Sequence, residues 1–299
     1  MKVGVCCEFP GPCSSGDFLK RSGQLAEKHG FASYWFGDHV LLFGSYESVY
    51  PYSGAASWGN DEPPIPDPKV PFVDPVMGMA WVAAATSTIE IGTSILILPQ
   101  RNPVILAKEM ACLDEMSQGR ITLGIGVGWC KEEGEAIGVD WSKRGKLTDE
   151  YIEVMRTLWH NDAAEFDGPT ISFKDAYMYP HPINGTIPIL VGGETDVALK
   201  RVARTGDGWL AFSVPGDELK GRIEFLKELT RQQGRDPDAL RISKAIFSWT
   251  TPEELEQYRE AGVTELLLFR SGELSLDQSE LDEQLAESAD KFVKTVADW

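Results

Sequence analysis

The residues best suited to chemistry stand in four places along the chain. Asp38-His39 closes the short run FASYWFGDH. An imidazole there titrates near neutral pH, and a neighbouring carboxylate is able to orient it. Gly126-Val127-Gly128-Trp129 follows the apolar run ITLGI. Its glycines bring bare backbone to a strand's end, where a ligand approaches closely and amide N–H groups suit an anion. In IPILVGGET, Val191-Gly192-Gly193-Glu194-Thr195 orders a strand, two glycines and a helix start, which is the layout of a phosphate cradle. Thr93-Ser94-Ile95 lies within the run IEIGTSILILP, too long and apolar for an edge strand; a planar ring facing it is an option that the residues alone do not show. A plainer reading stands beside each. Glycines also permit tight helix–strand packing, and a histidine can merely satisfy a backbone carbonyl.

The elements that position these residues repeat one grammar: helix, glycine, strand. Gly30, Gly119, Gly206 and Gly262 each separate an amphipathic stretch from an apolar run, as a left-handed C-terminal glycine does. Helix starts are marked by Asp74-Pro75, Asn102-Pro103 and Thr251-Pro252, with Glu254 completing a capping box. Strands are expected at Lys2–Cys7, Ala32–Gly37, Ile89–Leu98, Arg120–Gly126, Ile187–Val191, Gly208–Phe212, Arg241–Ser248 and Val263–Phe269. Helices between them throughout argue for parallel strands, and eight units for a closed (β/α)8 TIM barrel of the α/β class forming one domain over residues 1–299. The rival is an open doubly wound sheet, but no GxGxxG follows the first strand. If the barrel is right, all four candidate stretches end near its C-terminal mouth. Two insertions break the rhythm. Val40–Val73, after strand 2, carries Tyr46, Tyr50, Tyr52 and Trp58 and reads as a lid. Asp162–Gly185, before strand 5, reads as a hairpin turning at Asp167-Gly168.

Composition narrows the partners. A formal charge of −18 opposes nucleic acid and an anionic membrane surface. No window approaches the roughly 20 apolar residues of a membrane span, and no signal-peptide pattern opens the chain, so a cytoplasmic location is expected. Cys6, Cys7, Cys13, Cys112 and Cys130 are expected as free thiols, and no Cys/His spacing completes a metal site. No paired-carboxylate or nucleophile motif supports a hydrolase.

FASYWFGDHV, the stretch from Ile91 to Trp129, the helix TDEYIEVMRTLW and IPILVGGETDVALKRVARTGDGWL run in an order that resembles the luciferase-like monooxygenase superfamily, especially its coenzyme F-420 branch. The resemblance implies a flavin or deazaflavin at the barrel mouth and a non-prolyl cis peptide at Ser94-Ile95 behind its ring. It implies cofactor contacts from Thr93, Gly126, Val127, Gly128, Trp129, Val191, Gly192, Gly193, Glu194 and Thr195. It also places His39, with Asp38, near the reactive carbon. Two departures stand out: Trp129 occupies a position where some relatives carry an acidic glutamate, and Phe43 replaces a tryptophan after the Asp-His pair. The implied activity is hydride transfer between coenzyme F-420 and a small organic substrate. Alternatives are an FMN-dependent monooxygenase fed by a flavin reductase partner, and a non-catalytic flavin-binding barrel. A homodimer is implied.

Overall fold

Eight apolar runs become the parallel staves of one closed barrel. The computed structural model describes residues 1–7, 12–52, 67–270 and 274–299. In chain order, the first half comprises β1 (Lys2–Cys6), α1 (Gly16–Lys28), β2 (Ser33–Phe36), α2 (Pro75–Ala85), β3 (Glu90–Thr93), β4 (Leu96–Ile97), α3 (Pro103–Ser117), β5 (Ile121–Gly126) and α4 (Lys131–Ala136). There follow α5 (Arg144–His160), β6 (Ala164–Asp167), β7 (Ser172–Ala176), β8 (Ile189–Gly192), α6 (Asp196–Thr205) and β9 (Gly208–Ala211). The chain then runs through α7 (Gly216–Gln232), β10 (Arg241–Phe247), α8 (Pro252–Ala261), β11 (Glu265–Phe269) and α9 (Gln278–Ser288). Hydrogen-bonded neighbours run β3-β2-β1-β11-β10-β9-β8-β5, and a β3–β5 pairing closes the ring. β6 and β7 form a separate antiparallel hairpin.

The run Ile89–Leu98 differs from the single strand expected. It is broken into β3 and β4 at Ser94-Ile95, whose peptide bond is cis. Both pieces pair with β5: Ile91 opposite Ile121 before the break, and Ile97 opposite Gly126 after it. Alternation divides the side chains into two layers. Val5, Tyr34, Ile91 and Val191 pack outward into the main core beneath the helices, whereas Cys6, Trp35, Leu190, Leu210 and Leu267 fill the barrel's interior.

The marked helix starts are capped as their residue types require. Asp74 accepts from the Val76 amide at 2.9 Å, Asn102 from Val104 at 3.0 Å, and Thr251 with Glu254 makes a reciprocal box. Gly30, Gly119 and Gly262 are left-handed, at φ 82°, 79° and 97°. Gly206 is not, at φ −82°. There the small residue answers crowding, because a Cβ would lie 3.1 Å from Val202 Cα and from a Val191 methyl. No sequence signal was read for α9, which buries Leu281 and Leu285.

The N-terminal pole is closed by a buried charge. Glu265, 1% exposed, accepts from Ser33 Oγ at 2.8 Å, Ser243 Oγ at 2.7 Å, and Arg241 Nε and Nη2 at 2.8 and 2.6 Å. Arg241 also reaches Glu90 and lies over Trp35. Four strands are thereby tied by their first residues or those close to them. A buried carboxylate this dependent on one cation is costly to orphan. Arg241→Met is expected to lose about 3–5 kcal/mol in equilibrium urea unfolding. Arg21→Ala, which breaks an exposed pair with Asp17, is expected to lose under about 1 kcal/mol. Equal losses would remove the special status of the floor.

Candidate active site

The opposite pole, at the strands' C-terminal ends, holds a cavity of about 860 Å³. β2 delivers Asp38 and His39 to it; the β3–β4 break delivers Ser94 and Ile95; β5 delivers Gly126, Val127, Gly128 and Trp129; β8 delivers Gly192, Gly193, Glu194 and Thr195. All of these line the cavity. Thr93 and Val191 do not: the Thr93 hydroxyl donates to the Gly124 carbonyl at 2.7 Å within the wall, and Val191 points outward into the helix-facing core.

His39 is fixed by a residue that sequence reading passed over. Its Nδ1 lies 2.9 Å from Glu133 Oε2. The Glu133 residue is fully buried in the first turn of α4, and its other oxygen accepts from the Val40 and Leu41 amides. Burial opposes charge on Glu133, but the hydrogen bonds from His39, Leu41 and Val40 outweigh it and hold the carboxyl below its usual range. An ionised acceptor requires the proton on Nδ1. In the neutral ring that leaves the lone pair on Nε2, which has no partner among the described residues. Phe72 and Trp129 meet the imidazole edge-to-face, each with centroids 5.8 Å away.

Asp38, beside it in sequence, faces elsewhere. It is 5% exposed and accepts from the Ile97 amide at 2.9 Å and Arg101 Nη2 at 2.7 Å. Burial pushes its carboxyl up and Arg101 pulls it back. Its direct work is to hold β4 just past the cis peptide. The orienting acid comes instead from one helical turn beyond Trp129. The legible signal was the pair Glu132-Glu133 at the start of a helix that follows a strand.

Glu132 performs the matching task on the loop. It accepts from the amides of Glu47 and Ser48 and from the Ser48 hydroxyl, at 2.7 Å for the last. Slight burial opposes its charge, yet these bonds bring its carboxyl down to about 2. Rings of the same segment pack on the cavity: Tyr46 and Tyr50 on Trp129 at 5.4 and 5.3 Å, and Tyr52 on Phe212 at 5.2 Å. Trp58 lies outside the described residues.

The glycines serve packing as well as access. A Cβ on Gly126 would sit 2.2 Å from Ile95 Cδ1, one on Gly192 3.0 Å from Ile95 Cγ2, and one on Gly128 2.8 Å from Ile97 Cγ2. Ile95 therefore nests in both glycine turns. On the β8 side, Gly193 has φ 106° and Thr195 caps α6, accepting from the Ala198 amide at 3.3 Å. The Glu194 carboxylate turns to the β9–α7 loop, accepting from the Phe212 and Val214 amides at 3.0 and 3.1 Å and from Ser213. Two arginines missed in the sequence line this side, Arg144 and Arg201. Arg201 Nε is held by Asp149 at 2.6 Å; Arg144 lies over Trp141, and its Nε has no hydrogen-bond partner among the described residues.

The family profile described as luciferase-like monooxygenase matches residues 1–294. The chain belongs to the luciferase-like monooxygenase family. As a member of this family it is an oxidoreductase. An uncharacterised protein of Mycobacterium tuberculosis strain H37Rv is 31% identical over 89% of this chain and 91% of its own length. The F-420-dependent glucose-6-phosphate dehydrogenase of Mycolicibacterium smegmatis is 32% identical over 59% of this chain and 56% of its own. An F-420-dependent secondary alcohol dehydrogenase, solved with an F-420–acetone adduct, shares the fold at a TM-score of 0.74 with 20% identity, over 95% of this chain and 98% of that one. Within this luciferase-like barrel no described helix is long and apolar enough to cross a membrane.

Adjacent acids thus tie the Val40–Ser48 segment to α4 of the luciferase-like barrel. A carboxyl held low contributes fully above the ordinary carboxylate range near 4.5 and is lost as pH falls toward about 2. Glu132→Ala is expected to speed amide exchange at Glu47 and Ser48 at neutral pH, read by hydrogen–deuterium exchange, while barrel strands stay protected. Unchanged exchange at those two amides would show that the carboxylate does not anchor the segment.

Proposed function

We propose that this chain transfers hydride between coenzyme F-420 and a small organic substrate, with His39 as the proton donor or acceptor. The observation that carries the reading is the imidazole itself: buried Glu133 holds its Nδ1, and Nε2 is left without a partner among the described residues in the cavity that Ser94, Ile95 and Trp129 also line. The named relatives that use F-420 support the choice of cofactor class.

The residues fit such a group. Gly126 and Gly192 admit Ile95, which offers an apolar surface for one face of a planar ring. Thr195 and the first amides of α6, with Arg144 and Arg201 nearby, suit the cofactor's phosphate, because helix N-termini and guanidinium groups both favour anions. Glu194 lines the same side, but its carboxylate is engaged with the β9–α7 loop, which moderates its repulsion of that phosphate. When bound, the deazaflavin supplies the hydride acceptor or donor. The chain's own residues do the rest. Asp38 and Arg101 brace the β4 wall, Glu133 keeps the proton on Nδ1, and Nε2 takes a proton from a substrate hydroxyl or returns one to a carbonyl. The described parts of the Val40–Val73 lid, residues 40–52 and 67–73, bring Tyr50, Tyr52 and Phe72 to the cavity and keep water from the reacting atoms. All of this belongs to one domain, with the hairpin of β6 and β7 as an appendage. The chain pairs as a homodimer through the outer faces of α2 and α3, where Trp81 and Ile105 are 56% and 58% exposed.

Titration with coenzyme F-420 and with FMN, followed by ring fluorescence, tests the assignment. Micromolar binding of F-420 is expected; tight binding of FMN alone would sink the deazaflavin reading in favour of an oxygen-using flavin monooxygenase. His39→Ala is expected to lower turnover by about 10²- to 10⁴-fold with F-420 affinity retained. Turnover that persists unchanged in that variant would remove the imidazole from the chemistry.

A further inference from the structure

The charges around the cavity are unevenly spent. Its formally charged lining residues, among those described, are Asp38, His39, Arg144, Glu194 and Arg201. Asp38 is neutralised by Arg101, and Glu194 is bonded to the β9–α7 loop. Both cations stand on one side. A Cβ on Gly145, next to Arg144 at the start of α5, would lie 3.4 Å from Arg201 Nη2 on α6. That is the side of Thr195 and the glycine turn.

Much of the remaining wall is built of rings, which reach Glu194 at Phe212, whose amide donates to that carboxylate at 3.0 Å. Starting at His39, edge or tilted contacts link Trp129, Tyr50, Tyr52, Phe212 and Phe269, with centroids 5.2–5.8 Å apart. Burial, with the charge of Glu194 behind it, pushes the Tyr52 phenol up to about 12 and the Tyr50 phenol higher still, so both stay neutral. The nearby buried Lys244 does not line the cavity, and burial brings its ammonium down to about 8. Its ammonium donates to the Phe212 carbonyl at 2.6 Å and lies 5.4 Å from the Tyr258 ring, outside the cavity lining. Residues 8–11, 53–66 and 271–273 contain no lysine or arginine.

We infer that the substrate of this site is a neutral, largely apolar molecule with a flat body, held by the ring wall and offering one hydroxyl or carbonyl oxygen to His39 Nε2. The inference rests on the cofactor reading above, because that reading assigns Arg144 and Arg201 to the cofactor's phosphate. A phosphate or carboxylate on the substrate would then enter an aromatic wall with no cation to meet it, and an unpaired buried anion costs several kcal/mol. Phosphorylated sugars are excluded on this ground. A flat apolar body gains contact with the rings at little entropic cost, since their side chains are already packed on one another.

A matched pair of probes tests this. Acetophenone and 4-acetylbenzoate differ by one carboxylate on the same ring and are titrated calorimetrically into the full chain, with and without coenzyme F-420. Acetophenone is expected to bind at least about tenfold more tightly, and glucose 6-phosphate not to bind. Tyr52→Arg, which plants a cation in the ring wall, is expected to narrow or reverse the preference. For the unaltered chain loaded with F-420, equal or tighter binding of 4-acetylbenzoate, binding of glucose 6-phosphate, or no binding of acetophenone at millimolar concentration would each overturn the proposal. Failure of the cofactor reading shows separately, as absent F-420 binding in the fluorescence titration. The decisive preference is that of the F-420-loaded chain, because Arg144 and Arg201 are open to a carboxylate when the cofactor is absent.

Discussion

The barrel closes through the absence of three Cβ atoms. Gly124, Gly126 and Gly128 lie along and just beyond β5, facing the broken strand of β3 and β4. A Cβ on Gly124 would lie 1.9 Å from the Thr93 carbonyl oxygen, and those on Gly126 and Gly128 would overlap Ile95 and Ile97. The β3–β5 pairing is the seam that completes the ring, so this stripe sets how closely the first and second halves of the chain approach. Backbone cannot yield as a flexible side chain does, which makes the Gly124 contact the least forgiving of the three. The site inherits its shape from this seam. Ile95 nests between Gly126 and Gly192, and the cavity wall is the surface that this nesting leaves exposed.

Two further constraints fix the side chains that stand on that wall. Asp38 and Arg101 hold β4 through the Ile97 amide, while Glu133 holds His39 and the chain immediately after it. Glu132 holds Glu47 and Ser48 from the same helical turn. One short helix thereby fixes the imidazole with one acid and its covering segment with the next. The position of the imidazole and that of the Glu47–Ser48 backbone are linked through α4, although neither glutamate lies in a glycine motif.

How much of this was legible follows from the range of each signal. Capping residues at Asp74, Asn102 and Thr251, and apolar runs of strand length, are local, so element order and the barrel were readable before any contact was known. Breaks and partnerships are not local. Ile89–Leu98 is continuous in hydrophobicity, and its interruption at Ser94-Ile95 came only from family likeness. Adjacency in sequence pointed to Asp38 as the partner of His39, yet strand alternation sends neighbours to different surroundings. The same alternation removes Val191 from the cavity while Gly192 lines it. Arg144 and Arg201 stand on helices, where an arginine reads as ordinary surface until α5 and α6 are brought together.

The last point bears on the chain's charge. A net −18 would repel an anionic cofactor at long range, and that field is screened within about 8 Å at physiological ionic strength. Recognition of an anion must therefore be local, and it must be shielded from the acids nearby. The structure meets both conditions on the β8 side. Glu194 is bound by the β9–α7 loop, Asp149 carries Arg201 and Arg204, and Arg144 retains an unpartnered Nε. Across the cavity no comparable arrangement exists among the described lining residues: the charge is paired and the wall is aromatic. The two arginines and the rings line one cavity of about 860 Å³. His39, held by Glu133, stands at the head of the ring contacts that pass through Trp129 to Tyr50.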